Sequence, residues 1–264
     1  MAKYLFCVDS DGCAMDTMTY KHEVFFGPIA AEVFDISCRE AFLRQWNQIN
    51  LYSKTRGVNR FIGLVMCLEW ADTANIQALV EWTNNTPELS NRALENEIDL
   101  NPHQSLKKAL EWSNKVNKSI GEAKGLDHPF RQVKEGLAAL KKIGKVMIVS
   151  SANKEAVMDE WLRHDLISYI DEVACQDKGK KEDIIAQVLR AGWQKEQVLM
   201  IGDSPGDLKS AKLNGVAFYP ILVNNEETSW EKIRTEVVPN FVANTYKDKE
   251  AGFIQQFWNN LEAN

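Results

Sequence analysis

Between Pro129 and about Asn224 the chain repeats one pattern: a short apolar run, a small polar cluster, then apolar residues at helical spacing. Runs that are apolar on both faces belong in a parallel sheet, where each step needs a crossover long enough to hold a helix. The strands are read at Val146 to Val149, Ile170 to Ala174, Gln197 to Ile201 and Val216 to Tyr219. Pro129 suits the first turn of a helix carrying Phe130, Val133, Leu137 and Leu140 inward until Gly144. Further helices carry Val157, Trp161 and Leu162, run from Glu182 to Ala191, and end at Asn214-Gly215. Past Asn224, Trp230, Ile233 and Val237 suggest one helix; Phe253, Phe257 and Leu261 suggest a terminal helix covering the sheet.

The first strand of that sheet lies far upstream. Tyr4 to Val8 is an apolar run that delivers Asp9-Ser10-Asp11-Gly12-Cys13 into a turn opened by glycine. Side chains alternate in an extended chain, so Asp9 and Asp11 share a side and Ser10 points away. Two carboxylates that close both stay ionised only beside a cation, or one carries a proton. An ordinary Asp-Ser-Asp-Gly turn is the plain alternative. Ligands of doubly wound parallel sheets bind outside the carboxyl ends of the strands. Three strands bring polar groups to that edge, at Asp9/Asp11, Ser150/Ser151 and Asp203/Asp207.

From Thr17 to His128 the periodicity is helical throughout, with Phe42, Leu43, Trp46 and Ile49, then Ile76, Leu79 and Val80, then Leu106, Leu110, Ser113 and Val116. Trp46, Trp70, Trp82 and Trp112 are read as packing residues of this block. The expected architecture is an α/β core of residues 1–16 and 129–264, a doubly wound, Rossmann-like parallel sheet, interrupted by a helical domain at 17–128. Within that insertion, Lys54-Thr55-Arg56-Gly57-Val58-Asn59-Arg60 is the most ligand-like segment, although for any one of its cations a solvated, flexible turn is the stronger reading.

A net charge of −6, from 37 acidic and 31 basic residues, leaves no basic footprint for nucleic acid and favours small-molecule partners. Five cysteines at 7, 13, 38, 67 and 175 show neither paired spacing nor a Cys-x-x-Cys metal pattern, which fits a reducing cytoplasm. Cys13 has no cationic neighbour to favour a thiolate and is read as a packing residue. No stretch approaches the roughly 18 to 20 apolar residues that a membrane helix needs.

The clusters, in their order, resemble the haloacid dehalogenase-like superfamily. Its first motif, Asp-x-Asp-x-(Thr/Val), matches Asp9-Ser10-Asp11-Gly12-Cys13 except at the last residue; its hydroxyl-bearing strand end matches Ser150. Its lysine falls within Lys178-Gly179-Lys180-Lys181, and its Gly-Asp-x-x-x-Asp signature matches Gly202 to Asp207. Lysine spacing back from Gly192 favours Lys178, while the run into Glu182-Asp183-Ile184 favours Lys180; the expectation is Lys180, then Lys178.

The resemblance implies a Mg²⁺-dependent hydrolase of small organic phosphates. Asp9 would attack phosphorus and Asp11 would serve as general acid and base. The metal would lie among Asp9, the Asp11 carbonyl and Asp203, with Asp207 in support. Ser150 and the lysine would hold the phosphoryl group, with Ser151 beside them or simply an N-cap. Ser204 to Asp207 also reads as a capping box. The insertion stands where the family carries a mobile cap, in which Arg56 or Arg60 would meet an anionic substrate group. Asp11 argues against the dehalogenase branch, which lacks this acid. A phosphomutase of the same fold and a non-catalytic phosphate-binding module are the rivals.

Overall fold

In a computed structural model, which describes residues 3–123 and 125–263, the chain divides into two compact units. One comprises Met1–Met18 with Asp127–Asn264, the other Thr19–Leu126. None of the described helices is long and apolar enough to cross a membrane.

The first unit is built on a parallel sheet of five strands: β1 (Tyr4–Val8), β2 (Gly144–Val149), β3 (Glu172–Ala174), β4 (Val198–Gly202) and β5 (Ala217–Pro220). Their order is β3-β2-β1-β4-β5, so β1 lies at the centre, with Cys7 opposite both Met147 and Met200. All residues of β1 and β4 are buried, as their unbroken apolar runs require. Helices flank the sheet, as expected for a doubly wound α/β fold. Because the strand order reverses beside β1, the crevice at its carboxyl end is where such a sheet receives a ligand.

Several local expectations are corrected. Pro129 opens no helix: it lies in an antiparallel bridge with Met15, and the helix Val133–Ile143 begins after Gln132, whose φ is +67°. Leu162 is 54% exposed, because the helix Lys154–Arg163 turns Val157 and Trp161 inward and the next residue falls outside that face. Ser151 is exposed and is not the cap of this helix; Asn153 accepts the N–H groups of Glu155 and Ala156 instead.

The terminal helix Tyr246–Ala263 buries Phe253, Phe257 and Leu261. Phe257 meets Phe218, and Phe253 meets Tyr219, in edge-to-face contacts at 5.8 and 5.0 Å. The helix also binds the backbone of β5: Phe218 N–H donates to Glu250 Oε1 (2.7 Å), and the Tyr246 hydroxyl donates to Phe218 O (2.6 Å).

The second unit contains no strand among its described residues. Its core is aromatic, with Phe26, Phe42, Trp46, Phe61, Trp82 and Trp112 all buried, and Trp112 Nε1 donates to Phe26 O at 2.9 Å. Trp70 does not join it and is 46% exposed. The helix Arg60–Trp70 buries Phe61, Leu64, Val65 and Leu68, a stripe at i, i+3, i+4 and i+7 that excludes position 70.

Candidate active site

Asp9 follows the last residue of β1 and is 5% exposed. Its Oδ1 accepts the N–H of Ser10 at 2.8 Å, and its own N–H donates to Ile201 O of β4 at 3.0 Å. The chain then turns through Gly12, whose φ of +76° suits a residue without a Cβ. The Ser10 carbonyl closes the turn by accepting from Cys13, Ala14 and Met15. Asp11 is half-buried and accepts a hydrogen bond from the Thr17 hydroxyl.

From β4 the chain passes Gly202 into Asp203 and a capping box at the start of the helix Pro205–Asn214. Ser204 N–H and Oγ both donate to Asp207 Oδ2, at 3.0 and 2.7 Å. Asp207 thus closes the capping box with Oδ2, while its Oδ1 accepts from Lys181 at 2.6 Å. A Cβ at Gly202 would lie 2.3 Å from Asp207 Cγ, so only glycine lets this carboxylate fold back against the strand end.

Asp9, Asp203 and Asp207 each bring a carboxylate oxygen to within 4.8 Å of the others, and all three are buried. Lys181 Nζ lies between two of them, 2.7 Å from Asp9 Oδ2 and 2.6 Å from Asp207 Oδ1. Burial, followed by the Asp207 and Asp203 carboxylates, pushes the Asp9 carboxyl well up, with Lys181 pulling the other way. Burial disfavours the Lys181 cation, but Asp207 and Asp9 outweigh it and raise its pKa. The three carboxylates converge from two strand ends onto one small volume. An all-oxygen donor set of this kind fits a hard divalent cation such as Mg²⁺.

Lys181, and neither of the expected Lys180 and Lys178, is the lysine of this run that reaches these carboxylates. Both of those are exposed, Lys180 as the N-cap of the helix Lys181–Arg190 and Lys178 in the preceding turn. Position 181 precedes the buried Ile184 and Ile185 by three and four residues, so it lies on the inward face. That periodicity was the available signal. Ser150 follows β2 and is 1% exposed; its Oγ accepts the N–H of Ala152 at 3.1 Å, which leaves its O–H to donate. Cys13 is fully buried, and burial with the nearby Asp203 and Asp9 carboxylates pushes its thiol well up, in keeping with a packing role.

Sequence reasoning gave Thr17 and Trp161 no part here. Trp161, fully buried, donates its Nε1–H to Ser10 Oγ at 2.9 Å. Arg56 and Arg60 are engaged within the helical unit. Arg56 is 3% exposed, with Nη1 on Leu51 O at 2.7 Å. Arg60 lies over the Phe26 ring and donates to Asn117 Oδ1 (2.6 Å) and Ser113 Oγ (3.2 Å).

Solved structures with a similar fold include an inferred phosphoglycolate phosphatase from Lactobacillus delbrueckii subsp. bulgaricus, with a TM-score of 0.54 and 15% identity over 83% of this chain and 86% of that one. Another is a predicted phosphoglycolate phosphatase from Haemophilus somnus, with a TM-score of 0.51 and 14% identity over 83% and 84%. An inferred β-phosphoglucomutase from Thermotoga maritima gives a TM-score of 0.49 and 23% identity over 82% and 84%. No curated protein matches the sequence. The family model described as haloacid dehalogenase-like hydrolase matches residues 72–221, more than half of the chain and the stretch that carries Ser150, Lys181, Asp203 and Asp207. With the strand-end carboxylates and buried lysine in place, the chain belongs to the haloacid dehalogenase-like hydrolases.

Proposed function

We propose that the protein is a Mg²⁺-dependent phosphohydrolase of small organic phosphates, working through an aspartyl phosphate on Asp9. The observation that carries this reading is the buried Lys181 ammonium held between Asp9 and Asp207 inside a group of three carboxylates. Asp9, Asp203 and Asp207 would hold the cation, whose chemistry is to offset charge on the phosphoryl oxygens.

In the first step an Asp9 oxygen bonds to phosphorus as the ester P–O bond breaks, and Asp11 gives a proton to the departing oxygen. In the second, water attacks phosphorus, Asp11 takes its proton, and the Asp9–phosphorus bond breaks to free phosphate. Ser150 O–H and Lys181 donate to the phosphoryl oxygens in both steps. The Thr17 hydroxyl holds Asp11 in one orientation between them. By its place in the chain, between the first and second clusters, the helical unit is the candidate for selecting the substrate.

Purified protein given phosphorylated sugars, nucleotides and small acids is expected to release phosphate from at least one of them with Mg²⁺, and to stop with EDTA. Asp9→Asn is expected to lower kcat by about six orders of magnitude, the scale seen when a nucleophile is removed. Release that persists in Asp9→Asn would overturn the mechanism, and phosphate appearing on an organic acceptor would mark transfer in place of hydrolysis.

A further inference from the structure

Ser10 separates the two aspartates of the first cluster; its backbone holds the turn and its hydroxyl reaches Trp161. Its N–H fixes Asp9 Oδ1, its carbonyl gathers three successive N–H groups, and its Oγ accepts from Trp161 Nε1. The Ser10–Trp161 bond spans 151 residues of sequence, and both side chains are fully buried. A buried indole N–H that finds a hydroxyl is a specific contact, because a buried donor left unmet forfeits its hydration with nothing in return.

Trp161 is itself held firmly. It lies on the helix Lys154–Arg163, which follows the Ser150 loop directly. At the far end of that helix, Arg163 Nη1 and His164 Nε2 grip the two oxygens of Asp127, a buried carboxylate at the point where the chain re-enters the α/β unit, at 2.5 and 2.8 Å. One rigid element therefore leads out of the Ser150 loop and, through Trp161, grips the turn between Asp9 and Asp11.

We infer that Trp161 is a positioning residue, which through Ser10 Oγ fixes the direction of Asp9 and the offset of Asp11 relative to the phosphate-holding Ser150. This inference rests on the proposed phosphohydrolase reading. Turning the peptide after Asp9 moves the nucleophile while Ser150 stays in place to hold the phosphoryl group, so the loss falls on turnover and not on substrate binding.

The test combines Ser10→Ala, Trp161→Phe and the double variant, with kcat and KM measured on whichever ester the wild type hydrolyses. Each single variant is expected to lower kcat by about tenfold or more, with KM within about twofold, and the double variant to be no slower than the worse single one. Independently of turnover, the indole N–H resonance that Trp161→Phe removes is expected to shift in Ser10→Ala. If Trp161→Phe does not fold, Ser10→Ala carries both readouts. An unmoved indole resonance, or unchanged kcat in the single variants of an active enzyme, would overturn the positioning role. A resonance that shifts in Ser10→Ala while the wild type hydrolyses no ester would instead overturn the phosphohydrolase reading beneath it.

Discussion

The two units bury polar groups for different ends. In the helical unit, Asn50 sits 2% exposed and donates Nδ2 to Trp46 O at 2.9 Å, while Ser113 donates to Asn91 Oδ1 at 2.7 Å. These are neutral groups: the first braces its helical stretch against its own preceding turn, and the second joins the helix Gln104–Glu122 to the start of the helix Asn91–Leu100. In the α/β unit, three carboxylates and an ammonium crowd a single strand edge, at a desolvation cost of several kcal/mol per ion. Neutral buried hydrogen bonds specify packing, whereas charges gathered against that cost point to a ligand.

That contrast is most sharply broken at the lysines. Lys181→Met is expected to lower kcat by about a hundredfold or more, since it removes a charged donor from the phosphoryl group and leaves Asp9 and Asp207 without their cation. Lys180→Met and Lys178→Met are expected to stay within about twofold, because exposed charges contribute little. Steady-state kinetics of the three variants checks this, and a larger loss at Lys180 than at Lys181 would reverse the assignment.

In the helical unit the corresponding weak point is Gly63, where a Cβ would lie 2.2 Å from Asn50 Oδ1. Asn50 cannot withdraw without losing its bond to Trp46, so Gly63→Ala is expected to destabilise by about 1 to 3 kcal/mol despite the better helix propensity of alanine. Denaturant unfolding should show Gly63→Ala/Asn50→Ala recovering part of that loss. If the double variant is instead as unstable as the two single losses combined, the contact does not couple them.

The smallest effect concerns Asp127. Burial pushes its carboxyl up, but the hydrogen bonds from His164 and Arg163 outweigh it and hold the pKa below the usual value. A carboxyl with a depressed folded pKa stabilises above its unfolded value, near 3.9, and that contribution is lost as pH falls through the folded value. Asp127→Asn is therefore expected to cost about 1 to 2 kcal/mol at pH 7 and progressively less below about pH 4. Thermal unfolding of both proteins across that range checks the sign; a gap that widened on acidification would contradict it.

The sheet was legible because β1, β4 and the Val146–Val149 part of β2 are buried on both faces and so read as unbroken apolar runs, each leading into a polar residue that the topology brings to one edge. Asp9, Ser150 and Asp203 could be found from that pattern alone. The lysine could not be fixed by counting: adjacent helical positions differ by about 100° in direction, and only the later pair Ile184 and Ile185 shows that 181 faces inward. Trp161 escaped because its role is set by a hydroxyl 151 residues away, a distance over which no local pattern reaches. Asn153 in place of Ser151 as the helix cap reflects the same limit, since both residue types cap well and the loop length decides.

One consequence lies at the border of the sheet formed by β5. An outermost strand ordinarily offers a ladder of unclaimed backbone groups to any passing chain. On β5 that invitation is withdrawn from within, since Glu250 and Tyr246 of the terminal helix occupy the N–H and carbonyl of Phe218, and Pro220, two residues on, has no N–H to give. The helix that covers the aromatic face thus also ends the sheet, and a foreign strand arriving at this border would find its rungs already taken.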